Sequence, residues 1–260
     1  MNVRPPAVAG LFYPGDAREL RAMVNECLRG HAVAGATPKA LIVPHAGYEY
    51  SGAVAGSAYA LLEPARGTIT RVVLLGPSHR VAFGGLAVSS AWQFSTPLGD
   101  VPVDQEAVAL IRALPQVTVL DRAHAREHSL EVHLPFLQVV LGDFALVPLV
   151  VGAASPAEVA EVLELLWGGP ETLIVASSDL SHFHDYATAQ RLDQATSSAI
   201  AGLRYEDIGD DDACGRIPVS GLLRVARRLG LHARIVDLRN SGDAAGPRDH
   251  VVGYGAYVIG

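Results

Sequence analysis

Four short runs, almost wholly apolar and each cut off by glycine, proline or serine, constrain this chain more than any other feature. They are Ala40–Pro44 (ALIVP), Arg71–Leu75 (RVVLL), Phe144–Val151 (FALVPLVV) and Thr172–Ala176 (TLIVA). They are too short to be helices of ordinary length, and they do not alternate apolar with polar. Strands that read this way are buried on both faces, as in a parallel sheet covered by helices. Between them lie segments with helical spacing. Ser51–Leu62 is small and apolar, and Pro156–Trp167 is amphipathic, with Ser155 as its cap and proline in its first turn. Strand, helix, strand is the pattern of a parallel crossover. The expected fold is therefore α/β: a single domain over residues 1–260, with a central, mainly parallel or mixed sheet flanked by helices.

The remaining segments fit that frame. Asp104–Leu114, Ser129–Leu141, Tyr186–Ile200 and Pro218–Leu229 read as helices, the last with Gly230 after it. Ala233–Leu238 and Val251–Ile259 read as strands, separated by a loop over Asn240–Asp249. Gly85–Asp104 changes character: LAVSSAWQF and DVPVD flank the turn-like STPLG, which predicts an antiparallel excursion.

Composition excludes several classes. Half of the 260 residues are hydrophobic and 18% are charged, which is enough apolar material for a buried core. A net charge of −7 argues against nucleic-acid binding. Arg224, Arg227 and Arg228 share a helical spacing and read as a solvated face. Two cysteines are too few for a disulfide framework, and Cys27 lies within a helical pattern as a small packed residue. The start MNVRPPAVAGLFYP lacks a signal-peptide core, and no window offers about 20 uninterrupted apolar residues for a membrane span. The expectation is a cytoplasmic protein.

The chemistry gathers at strand ends. His45 follows LIVP, His79 follows VVLLGPS, and His182 follows LIVASSDLS. Residues after parallel strands share the carboxyl edge of the sheet, where open α/β folds bind ligands. Imidazole suits iron, zinc, copper and nickel, and the ring nitrogen left free needs an acceptor of its own. Asp179 stands three residues before His182, where a carboxylate can orient an imidazole. His184 and Asp185 read as rim residues. Cys214 follows the acidic run Asp210–Asp212 and precedes a helix. The helix start favours a thiolate and the acidic neighbours oppose it, a conflict that a bound cation would resolve. EHSLEVHLPF (Glu127–Phe136) does not match the His-Glu-x-x-His spacing of a zinc protease, because His128 and His133 are five apart. Glu131 and His133 read as a polar helix start that covers the cleft. No dinucleotide fingerprint or phosphate loop is present.

Taken in order, PHAGYEYSG, LLGPSHR, STPLGDVPVD, EHSLEVHLPF, VPLVVG, SSDLSH and CGRIPVSGLL resemble the Memo family, and the likeness runs from AVAGLFYP to GYGAYV. That family resembles class III extradiol ring-cleaving dioxygenases in fold, enzymes that hold non-haem Fe(II). The resemblance implies metal ligands at His45, His79 and Cys214, with His182 in the acid/base place beside Asp179. It implies Fe(II) as cofactor, with copper or zinc admitted by the softer thiolate. Prokaryotic Memo-like domains are linked with AMMECR1-like and radical-SAM proteins, so the resemblance also implies partners of those kinds.

Three functions follow as expectations. The first is an iron- or copper-dependent oxidoreductase acting on a small substrate. The second is a peptide- or protein-binding module with a vestigial cleft, lined by Tyr48, Tyr50, Trp92 and Phe183. The third is a zinc hydrolase, since two histidines and a cysteine with an open fourth position form a catalytic zinc set.

Overall fold

The computed structural model describes residues 2–31, 36–244 and 246–260. The chain runs β1 (Val3–Arg4), α1 (Ala17–Leu28), β2 (Ala40–Val43), α2 (Tyr48–Tyr59), β3 (Arg71–Pro77), β4 (Leu86–Val88), β5 (Gln93–Thr96) and β6 (Gly99–Pro102). Then come α3 (Gln105–Ile111), β7 (Val117–Val119), α4 (Asp121–Ala125), α5 (Leu134–Leu141), β8 (Ala145–Val151), α6 (Pro156–Leu166), β9 (Thr172–Ser177) and β10 (His182–His184). The chain closes with α7 (Tyr186–Ala201), α8 (Arg216–Arg228), β11 (Ala233–Asn240) and β12 (Val251–Ile259).

The four apolar runs are the centre of the main sheet, in the order β2-β9-β3-β8 and all parallel. Their side chains are buried almost without exception, as strands covered on both faces require. The helices that cover them pack in two groups, α1 with α2 and α5, and α6 with α3 and α8. The sheet becomes mixed towards its edges. Strand β12 joins β2 antiparallel, β10 and β11 join β12 antiparallel, and β4 turns antiparallel to β8 before pairing parallel with β7. The expected antiparallel excursion is the hairpin β5–β6 around the STPLG turn, in a separate three-stranded sheet with β1.

Several boundaries differ from the sequence reading. Asn240 ends β11 instead of opening a loop. The segment from Ser129 is not helical until Leu134; Glu131–His133 forms a short 3-10 turn first. The reason is that its backbone is engaged elsewhere. The N–H groups of His128 and Ser129 donate to the Glu127 carboxylate, and the Ser129 carbonyl accepts from Ser177. Strands β7 and β10, three residues each, are too short to leave a periodic signal.

Candidate metal centre

Register puts the site at one edge. Val43 of β2 pairs with Ser177 of β9, and Ala176 with Leu75 of β3, so the residues after these strands emerge side by side. His45 follows β2, His79 follows β3, and Asp179 follows β9. The segment Glu127–His133 lies against the same edge, where the Ser129 hydroxyl donates to the Pro77 carbonyl at 2.8 Å. Glycine at position 76 permits that approach, because a Cβ there would stand 2.7 Å from Ser129 Oγ.

Three imidazoles meet at this edge. His45, His79 and His128 each offer a ring nitrogen, and the three ligand atoms all lie within 4.8 Å of one another. The His79 and His128 rings stack with centroids 4.7 Å apart, and His45 stands edge-on to both at 5.1 and 5.4 Å. His45 is buried and His128 partly so, whereas His79 is exposed and opens the cluster to solvent. Phe12 covers the far side of His128, with centroids 4.8 Å apart.

Hydrogen bonds fix the rings, and burial disfavours protonation of His45 and His128. His79 Nδ1 lies 2.9 Å from Glu127 Oε1 and donates to it, so its Nε2 lone pair faces the cluster. Glu127 also accepts the backbone N–H groups of His79, His128 and Ser129, at 2.6, 3.0 and 3.0 Å. Burial opposes its ionisation, but these bonds outweigh it and hold the carboxylate down to about 2. Burial pushes His128 down to about 4, helped by repulsion from His79 and Arg80 and resisted by Glu127. Burial also holds His45 well below the usual imidazole value. One buried nitrogen, His128 Nδ1, has no hydrogen-bond partner. Three imidazole nitrogens converging on one point are what a divalent cation needs, and the donor set fits one.

The other expected site residues lie close by in a different arrangement. Cys214 Sγ is 3.3 Å from His45 Nε2 and accepts from the Asp179 N–H at 3.3 Å. It is brought there by Gly215, whose N–H donates to Ser178 Oγ and where a Cβ would come within 2.3 Å of the Ser177 carbonyl. Burial, and then the Asp179 charge, push this thiol up to about 12. The Asp179 carboxylate accepts from the His45 N–H at 2.7 Å. Burial raises its pKa to about 7, against the pull of that bond. Among the described residues no hydrogen bond joins Asp179 to His182, so the expected pairing of the two is not formed. The carboxylate is turned to the His45 loop instead. His182 is half-buried on β10, and burial lowers its pKa. Beside it Phe183 adopts a φ of 62° and is 74% exposed, a left-handed conformation uncommon for a bulky residue.

The comparisons with known proteins decide the family. A family model described as Memo-like protein matches residues 4–258. The chain belongs to the Memo family. It is 35% identical over 286 residues to a MEMO1 family protein of Methanopyrus kandleri, covering 98% of each chain. It is 38% identical over 275 residues to one of Thermotoga petrophila, covering 96% of this chain and 97% of that one. The crystal structure of an uncharacterized protein from Escherichia coli K12 superposes with a TM-score of 0.55 at 16% identity, over 84% of this chain and 98% of that chain. That likeness is one of fold.

Against this Memo-family background, His128 is the residue that sequence reasoning missed. Its signal was adjacency: Glu127 and His128 follow one another, and the carboxylate holds one imidazole of the cluster while its neighbour supplies another. Glu131, by contrast, is a structural anchor, as a polar covering segment would need. Its buried carboxylate pairs with Arg4 and accepts from Ala7 N at 2.7 Å, Val8 N at 3.0 Å and Tyr13 OH at 2.5 Å. It ties the N-terminal segment over the site. Among the candidate pocket aromatics, Tyr48 is buried and donates to the Val132 carbonyl, whereas Tyr50 and Trp92 are exposed. No helix among the described residues is long and apolar enough to cross a membrane.

Proposed function

We propose that this Memo-family protein is a metal-dependent oxidoreductase acting on a small substrate, with a divalent ion, iron before copper, as its cofactor. The observation that carries the reading is the cluster of three imidazole ligand atoms within 4.8 Å of one another, at a sheet edge open to solvent through His79. His45 and His79 are common to both donor sets, the three imidazoles and the pair of histidines with Cys214. Cys214 is the proposed third ligand. Its 3.3 Å separation from His45 Nε2 falls within the roughly 3.1–3.6 Å that two donors on one ion span at bond lengths of about 2.1 and 2.3 Å. His128 stands as a further donor. A bound iron or copper ion would supply the redox change, and it would also remove the thiol proton that burial otherwise retains.

The residues around it have distinct tasks. Glu127 orients His79 and makes it more basic. Asp179 holds the His45 backbone and faces the cysteine. His182, half-buried and lowered in pKa, is the group proposed to accept and return a proton. Phe183, exposed beside it with ring centroids 5.7 Å apart, offers an apolar surface to a substrate.

The test is purification without oxygen or chelator, followed by metal analysis and X-ray absorption of the Fe(II)-loaded protein. Near-stoichiometric iron is expected, with a sulfur neighbour at about 2.3 Å that disappears in Cys214→Ala. In His128→Ala, iron uptake is expected to weaken while the sulfur persists. Iron bound without sulfur would remove Cys214 from the ligand set. Absence of uptake of iron, copper and zinc alike would overturn the reading and favour a binding module.

A further inference from the structure

Behind the three imidazoles runs a chain of buried hydrogen bonds that no ligand set requires. Ser177 Oγ has three neighbours: His45 Nδ1 at 2.5 Å, His133 Nε2 at 2.8 Å and the Ser129 carbonyl at 2.7 Å. On its other side His133 Nδ1 lies 2.9 Å from the Tyr59 hydroxyl. His45, His133, Ser177 and Tyr59 are all buried, at 2% exposure or less.

The protons in this chain have one consistent arrangement. A carbonyl can only accept, so the single hydroxyl proton of Ser177 goes to Ser129. Both imidazole nitrogens must then donate to the serine oxygen. His133, held neutral by a pKa that burial pushes down to about 3, has its proton on Nε2 and a lone pair on Nδ1. Tyr59 fills that lone pair, and its buried phenol keeps the proton it donates. His45 carries its proton on Nδ1 and turns the Nε2 lone pair towards the cluster. Every polar group in the chain is satisfied, and reversing any one bond leaves a buried donor or acceptor unpaired.

We infer that Ser177, backed by His133 and Tyr59, is a positioning residue that locks His45 in the tautomer able to bind a metal through Nε2. The inference rests on the proposed metal site but concerns the protein's own protons. The chain is not a path for protons to solvent, because it ends at Tyr59, which is fully buried. Its architecture matches that of His79, whose Nδ1 is held by Glu127. The charged acceptor serves the exposed ring, and the neutral acceptor serves the buried one.

The test is long-range proton–nitrogen NMR of the histidine rings in metal-free, nitrogen-15-labelled protein, with Zn2+ titration of the same samples. In the wild type His45 is expected as the Nδ1–H tautomer. In Ser177→Ala it should shift towards Nε2–H, and Zn2+ affinity should fall about 10- to 100-fold. Ser177→Thr should restore both. In Tyr59→Phe the His133 ring should redistribute between tautomers while His45 stays as it is. A wild-type His45 found as Nε2–H would overturn the inference, even if Ser177→Ala failed to fold. So would a Ser177→Ala protein with unchanged tautomer and affinity. A wild type with Nδ1–H at His45 that takes up no metal would count against the metal reading alone.

Discussion

Glu127 concentrates the site's energetics in one side chain. It is nearly fully buried, accepts three backbone N–H groups and the His79 ring, and stays ionised. Glu127→Gln keeps the shape but turns an NH2 group towards donors it cannot accept. Metal affinity should fall about 10- to 100-fold. Stability should drop by roughly 1–3 kcal/mol, the cost of buried donors left unpaired. Titration with Fe(II) and urea unfolding of the variant check the two effects separately. An unchanged affinity would show that His79 needs no orienting partner. At this scale the sequence was legible where a functional residue follows a strand directly, as His45 and His79 do. It was not legible for His128, which reaches the cluster from a segment about 50 residues along the chain from His79. Nor does residue spacing show that Asp179 faces the His45 loop.

At the scale of elements, close approach matters more than helix strength. Strand β3 passes so near Ser129 that Gly76→Ala would push its Cβ into Ser129 Oγ and Leu130. The expected result is a loss of about 1–3 kcal/mol, typical of overpacking, together with weaker metal uptake, because the segment carrying Glu127 and His128 must move. Ser155→Ala is the contrasting case. Ser155 and Glu158 form a capping box at the start of α6, far from the cluster in the chain. Its removal should cost about 1 kcal/mol and leave metal uptake unchanged. Thermal unfolding and metal titration on both variants test the contrast. The Ser155 cap was visible beforehand, because Ser-Pro ahead of an amphipathic run is a local pattern, and the structure adds its reciprocal bond with Glu158. The break between Ser129 and Leu134 was not, because the bonds that hold it come from Glu127 and Ser177.

Across the whole molecule, buried histidines make the fold sensitive to acid. Burial holds His124 and His128 at about 4 and His133 at about 3, against a usual 6.5. As pH falls below about 6.5 the unfolded chain takes up protons that the folded one refuses, so stability declines on acidification. The loss should run from about pH 6.5 to about pH 4 for His124 and His128 and to about pH 3 for His133, at up to roughly 1.4 kcal/mol per pH unit for each group. Asp179, raised to about 7, offsets one group's share between about pH 7 and pH 4. Urea unfolding at a series of pH values should show this slope in the metal-free protein. His124→Gln, outside the three-imidazole cluster and bonded to the Ala87 carbonyl, should reduce it by one group's share. A flat profile would mean that the imidazoles do not remain neutral in the fold.

The apolar runs, the caps and the strand-end histidines were set by the sequence itself, because each depends on neighbours a few residues away. Those local signals were enough for an α/β fold with a parallel centre and for the placing of His45 and His79 on one edge. Only the tertiary structure decided strand order, the membership of His128, the bonding of Asp179 to the His45 backbone, and the buried chain from Ser177 to Tyr59. Each of these joins residues dozens of positions apart. Hydrophobic periodicity says which face of an element is buried, but not which distant side chain will meet it there.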